Sequence, residues 1–125
     1  MSLRSLVRRA RESMLATRAQ LDAEDERRLR LPDTTPIGEA GARVRVRLGG
    51  VLTAVTYPPA DATPILRAKL FDGTGTAELV FLGRRAVPGI DPGRRLTAEG
   101  TVADEGAGPV LYNPGVDLAP TGGDR

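Results

Sequence analysis

The chain has 125 residues, a formal net charge of +2, and neither cysteine nor histidine. That length suits one domain plus an arm, and burying roughly two thirds of the unfolded surface is enough for a single core. Without Cys or His there are no disulfides, thiolate metal sites or thiol nucleophiles, and the commonest general base and metal ligand are missing.

From about Ser2 to Leu31 the chain lacks Pro and Gly and is rich in helix formers, which predicts one helix. This is an N-terminal helical arm over residues 1–32, stopped by Pro32. Leu3, Leu6, Val7, Ala10, Met14, Thr17 and Leu21 recur at three- and four-residue steps, a narrow apolar stripe. The first half is basic (Arg4, Arg8, Arg9, Arg11 and Arg18), and the second turns acidic at Asp22, Glu24, Asp25 and Glu26. Three readings compete for the arm: docking on the domain, pairing with a partner helix or a second copy, or lying on nucleic-acid phosphates. A solvated, weakly docked helix is the plainer alternative. Glu24 and Arg28 occupy the next heptad positions, which argues against a long coiled coil. The Arg- and Ser-containing start looks like a transit peptide but lacks the apolar segment of a secretory signal. It reads as part of the mature protein in a cytoplasm.

Residues 33–42, with Pro36 and Gly38, read as a linker. Arg43 to Leu48 then alternates strictly, so Val44, Val46 and Leu48 are expected in a core and Arg43, Arg45 and Arg47 outside. Gly49-Gly50 predicts a bulge or bend in a strand that resumes from Val51 to Tyr57, as one strand serving two sides of a barrel requires. A Pro-rich loop follows, from Pro58 to Pro64. Leu66 to Gly83 is a β-hairpin: Leu66, Ala68 and Leu70 alternate with Arg67, Lys69 and Phe71, and Asp72-Gly73-Thr74-Gly75 turns the chain into Thr76 to Leu82. The segment from Arg84 to Arg95 holds two prolines and leaves room for one short turn at most. Leu96 to Ala103 is a fourth strand and Val110 to Tyr112 a fifth, broken by Asn113-Pro114-Gly115 before Val116 to Leu118. Residues 119–125 read as a disordered tail.

Five short strands and little helix outside the arm describe an all-β barrel over residues 43–118, with an N-terminal helix. A five-stranded Greek-key OB-fold fits best, because closure removes exposed sheet edges. The motif order adds to this. Gly50-Val51-Leu52, Asp72 to Gly75, Pro92-Gly93, Gly100 and Asn113-Pro114 fall in the sequence VRVRLGGVLTAV, LRAKLFDGTGTAELVFLG, IDPGRRLTAEGTV and VLYNPGVDL. This pattern resembles OB-fold nucleic-acid-binding domains of the type in the wedge of the branch-migrating helicase RecG and in tRNA anticodon-binding modules. The phrase FLGRRAVPGIDPGRRL is similar to small actinobacterial stand-alone OB-fold proteins with a helical arm. The resemblance covers about Arg43 to Leu118 and implies nucleic-acid binding; OB-folds also bind oligosaccharides and proteins.

All but one of the 18 basic residues are arginine, the exception being Lys69. Arginine pairs bidentately with phosphate and stacks on bases, but codon bias in a GC-rich genome gives the same excess. In an OB-fold, single strands cross strands 2 and 3 between the loops joining strands 1–2 and 4–5. That expectation makes Arg67 and Lys69 the centre of a basic face, with Arg45 and Arg47 on strand 1. The doublets Arg84-Arg85 and Arg94-Arg95 are then placed to hold a backbone from either side. The competing reading is a solvated face in which Glu78 and Glu99 pair with these arginines. Aromatics are sparse. Phe71 shares parity with Arg67 and Lys69 and is the best stacking candidate; Tyr57 borders the Pro-rich loop; Phe81 and Tyr112 read as core, Tyr112 with a hydroxyl handle.

Enzyme readings fare poorly. Asp72-Gly73-Thr74-Gly75 looks like a catalytic Asp-Thr-Gly or a phosphate loop, but the Lys-Ser/Thr of a P-loop is missing and a hairpin turn explains it. No catalytic residue, metal or cofactor is expected. No apolar run approaches the roughly 18 residues that span a bilayer. The expectation is a non-enzymatic protein that binds single-stranded or branched DNA, or RNA. The alternative is a protein-interaction module that uses the arm. A positive groove with Phe71 exposed favours the first; an Arg–Glu network beside an exposed apolar helix stripe favours the second.

Overall fold

A computed structural model describes residues 3–28, 33–103 and 105–120. The helix α1 runs Leu3–Arg28, and a 3-10 turn occupies Ile37–Glu39. Six strands follow: β1 Arg45–Thr56, β2 Ile65–Phe71, β3 Thr76–Leu82, β4 Arg95–Ala103, β5 Val110–Tyr112 and β6 Gly115–Leu118. The expected ends of the arm and of the tail lie partly outside the described residues.

The protein is mostly β, and its sheet closes partly in a ring. β1 is antiparallel to β4 from Arg45 to Val51 and to β2 from Val51 to Thr56, so one strand does serve two neighbours. β2 pairs with β3, β3 runs parallel to β5, and β5 and β6 follow one another along the far edge of β4. Asn113, with φ 48°, separates them. Its Oδ1 accepts a 2.8 Å hydrogen bond from the Leu82 amide.

Period-2 alternation places Leu66, Ala68 and Leu70 of β2 and Ala77, Leu79 and Phe81 of β3 in one core with Leu48, Leu52, Leu96 and Leu111. Burying each such leucine contributes about 2 kcal/mol. Two local expectations need correcting. Val44 does not enter the core; it lies just before β1 and is 52% exposed, although its carbonyl still accepts from the Val102 amide. The register shift of β1 lies between Leu52 and Ala54, not at Gly49-Gly50. The glycines instead permit close approach: a Cβ on Gly50 would stand 2.3 Å from the Phe71 carbonyl oxygen.

The Asp72–Gly75 turn is where the other segments attach. Asp72 is 1% exposed. Its Oδ1 accepts from the Thr74 amide (2.8 Å), the Thr74 hydroxyl (2.7 Å) and the Gly75 amide (3.2 Å), and its Oδ2 accepts from the Ile37 amide (2.9 Å). Residues 33–42, expected as a linker, therefore carry a plug, with Ile37 buried in the core. On the other side of the turn α1 docks by its last turns. Arg27 Nη1 donates 2.7 Å to the Gly73 carbonyl, and Gly73 takes φ +89° with the Ala23 carbonyl where its Cβ would be. The helix end is fixed by Ala23, Glu26 and Arg27, not by Leu3 and Leu21 of the apolar stripe, which are 76% and 56% exposed.

Candidate functional site

The outer face of β2, β3 and β5 is built by strand register. Arg67 lies opposite Val80, and Val80 opposite Tyr112; Lys69 lies opposite Glu78, and Glu78 opposite Val110. Arg67 and Lys69 are exposed, as expected of the polar half of an alternating strand. Val80 and Val110 share the outward parity and yet are buried, at 1% and 6% exposure, outside the core cluster. They give the face an apolar floor beneath its polar side chains. With strands about 4.8 Å apart, Arg67 and Tyr112 stand about 10 Å from one another across it.

Tyr112 is 41% exposed and belongs to this face, not to the core. Sequence alternation alone missed it, because a three-residue strand is too short to reveal its parity. The one signal was Leu111, whose burial forces its neighbours outward. The Tyr112 hydroxyl donates to Glu105. That hydrogen bond raises the tyrosine pKa above its ordinary value, with desolvation and the Glu105 charge acting in the same sense. The phenol's stabilising contact is therefore present below pH 10 and is lost as pH rises through the raised value. In a Tyr57→Phe background, ultraviolet titration is expected to find Tyr112 ionising at lower pH once Glu105→Gln removes the carboxylate. An unchanged titration curve would contradict that cause.

Arg67 is not isolated. Its guanidinium lies 3.5 Å from the Glu78 carboxylate, with both side chains part-exposed. Phe71 shares the face but is only half-exposed. It aligns with Val51, and Val51 with Arg95. Arg95 forms a two-pronged ion pair with Glu26 of α1 at 2.8 and 2.7 Å. The hydrogen bond to Glu26 raises the Arg95 pKa, opposed by partial burial and reinforced by the Glu26 charge. The helix end thus closes the Phe71 end of the face.

The opposite end is held by the other doublet. Arg85 donates 3.0 Å hydrogen bonds to the carbonyls of Pro59 and Ala62, pinning the loop between β1 and β2. Arg84 is exposed beside it. Tyr57, at the start of that loop, is 51% exposed. Arg94 donates to the Ala119 carbonyl at 3.1 Å, and its buried Nε has no hydrogen-bond partner among the described residues. The doublets Arg84-Arg85 and Arg94-Arg95 therefore lie toward opposite ends of β2, about 20 Å apart along the strand, and do not face one another across a groove.

Arg45 and Arg47 lie on the part of β1 that pairs with β4. Arg45 is 3.5 Å from Glu99, and Arg47 is 4.0 Å from Asp117. The structure brings Arg67, Lys69, Tyr112 and, at the helix end, Phe71 onto one face. It places Arg45 and Arg47 elsewhere on the ring. A small cavity of about 180 Å³ between residues 40–42 and the β4–β5 loop is lined chiefly by Ala40, Ala42, Val102, Ala103 and Pro109. It brings no cation to the face. Among the described residues no three His, Cys, Asp or Glu side chains cluster as a metal site, and no helix is long and apolar enough to cross a membrane.

No protein-family model matches the chain, and a search of curated proteins finds no match.

Proposed function

We propose that the chain is an OB-fold module that binds single-stranded or branched nucleic acid without sequence specificity. The strand pairing supports a five-stranded Greek-key ring with β6 as an extension of β5: each of β1 to β5 has two neighbours, in the order β1, β2, β3, β5, β4 and back to β1. The observation that carries the functional reading is the exposure of Arg67, Lys69 and Tyr112 on one outer face, over an apolar floor. Cations there meet phosphates, and a tyrosine flank offers a base a stacking surface worth about 1–3 kcal/mol.

The Arg67–Glu78 pair does not close this face energetically. A part-exposed ion pair contributes about 0–1 kcal/mol, so a phosphate can replace Glu78 at little cost. The Arg85 bonds hold the β1–β2 loop, and Tyr57 with it, at one end of the same surface.

Arg67→Ala/Lys69→Ala is expected to weaken binding of a labelled oligothymidylate about tenfold near 0.1 M salt. It is also expected to flatten the log–log salt dependence by about 1.4, the share of two lost single-strand phosphate contacts. Fluorescence anisotropy reads both. Unchanged affinity and slope would remove the face from the reading.

A second reading has a specific observation in its favour: the exposed Leu3 and Leu21 on the helical arm. With the Arg67–Glu78 and Arg45–Glu99 pairs, they fit a protein-interaction module whose β ring is structural. Absence of nucleic-acid binding by the wild type at low salt would leave this as the surviving alternative.

A further inference from the structure

The charge of the chain is unevenly placed. Residues 3–21 hold Arg4, Arg8, Arg9, Arg11 and Arg18 against Glu12, five positive charges and one negative, or +4. The whole chain carries +2, so everything outside that stretch sums to −2. Residues 43–118, which form the β ring, hold nine basic and eight acidic side chains and so sum to only +1, and the basic field sits on the first part of the arm. Acidic Glu78 and Glu105 on the face itself sharpen the contrast.

The arm is a continuous helix through this stretch. Arg4, Arg8 and Arg18 are exposed. At about 100° per residue they fall within an arc of about 80°, and at 1.5 Å per residue they span about 21 Å. The ring grips α1 at its far end, through Ala23, Glu26 and Arg27. That attachment is not remote from the face. Arg95, gripped by Glu26, lies in register with Val51 and then Phe71, the end of the face away from the β1–β2 loop. A strand leaving the face past Phe71 reaches the root of the arm.

We infer that the arginine face of α1, formed by Arg4, Arg8 and Arg18, is a second phosphate-binding site that takes the backbone of the same nucleic acid. This rests on the nucleic-acid reading of the β face and extends it. The division of labour is physical: the arm supplies long-range attraction and counterion release, while the ring supplies the surface on which bases lie. Arginine suits the arm because its guanidinium stays charged and forks onto phosphate oxygens. It also leaves the helix intact, being a strong helix former.

The test is a set of three full-length variants titrated with labelled oligothymidylates of about 10 and 30 nucleotides over a range of salt. They are Arg4→Gln/Arg8→Gln/Arg18→Gln, Arg67→Ala/Lys69→Ala, and the two combined. Glutamine keeps helix propensity close to that of arginine, and circular dichroism checks that helix content is unchanged. The arm variant is expected to lose about two units of salt slope, from three contacts at about 0.7 each. Its loss of affinity should be larger for the longer oligonucleotide, which alone covers both sites. The combined variant should lose the sum of the two slopes. Wild-type affinity and slope in the arm variant, beside a weakened face variant, would overturn the second site and leave the face. The reverse pattern would overturn the face and keep the arm. Absence of binding by the wild type at low salt would overturn both.

Discussion

Asp72→Ala is expected to lower folding stability by about 3–4 kcal/mol. The carboxylate is 1% exposed and accepts four hydrogen bonds. Three of these shape the hairpin turn, and the fourth holds the Ile37 amide. Hydrogen bonds to a charged acceptor contribute about 1.5–3 kcal/mol each, and donors left buried without a partner add their own cost. The alanine leaves the Thr74, Gly75 and Ile37 amides without their acceptor, and only part of that loss is recovered by water at the turn. Ile37 is a core residue, so loosening its segment exposes apolar surface as well. Against the 5–15 kcal/mol that stabilises a typical domain, this is a large fraction. Urea denaturation would show a lower midpoint. A midpoint equal to that of wild type would mean that the carboxylate is not what ties the plug to the hairpin. Asp72→Asn separates charge from shape: it keeps two acceptor positions on Oδ1 and loses an acceptor only where its amide nitrogen must face a donor.

Gly50→Ala is expected to cost about 3 kcal/mol or more, enough to prevent a cooperative fold if the starting stability is low. The new Cβ would stand 2.3 Å from the Phe71 carbonyl oxygen and 2.8 Å from its carbon. Both are backbone atoms of the neighbouring strand, so no rotamer change relieves the clash. Residues 50 and 51 are also where β1 passes from β4 to β2. Pushing the strand outward breaks register with both neighbours at once, a displacement that a flexible surface loop would absorb and a partly closed ring does not. Near-wild-type thermal and urea unfolding of the alanine variant would contradict this close approach.

Much of the framework was legible because alternation is a strong signal. The hairpin from Leu66 to Leu82 has the expected turn and the expected inward residues, since apolar and polar positions alternate from Leu66 to Leu70 and from Thr76 to Leu79, beyond which the apolar Val80 takes an outward position. The one long strand with two partners was legible from its glycine pair, although the glycines mark an approach and the bulge lies beyond them. Ile37 was missed because a lone isoleucine between Pro36 and Gly38 has no periodicity, and its position depends on long-range bonds from the Ile37 and Gly38 amides to Asp72 and Thr74. Val44 pairs with Val102 through its backbone and is still exposed, because alternation does not show where along a strand the core ends.

The site was legible in part for the same reason. Arg67 and Lys69 follow from parity on a seven-residue strand. Tyr112 depends on a parallel pairing of β5 with β3 that no local pattern encodes. The ion pair between Glu26 and Arg95 joins residues 69 positions apart, and the Arg85 clamp on the β1–β2 loop joins residues more than 20 apart. Such contacts set which arginines are spoken for and which remain open to a ligand. Sequence gives the inventory of cations, and long-range register divides it.

The most direct measurement is an amide nitrogen–proton correlation spectrum of the full chain during titration with an unlabelled oligothymidylate at low salt. Binding on the proposed face should shift the amides of Arg67 to Phe71, Glu78 to Leu82 and Val110 to Tyr112. Residues on the β4–β6 side, such as Thr97 and Asp117, should stay in place. Shifts confined to the β4–β6 side, or no shifts at millimolar nucleotide, would contradict a nucleic-acid interface on β2, β3 and β5.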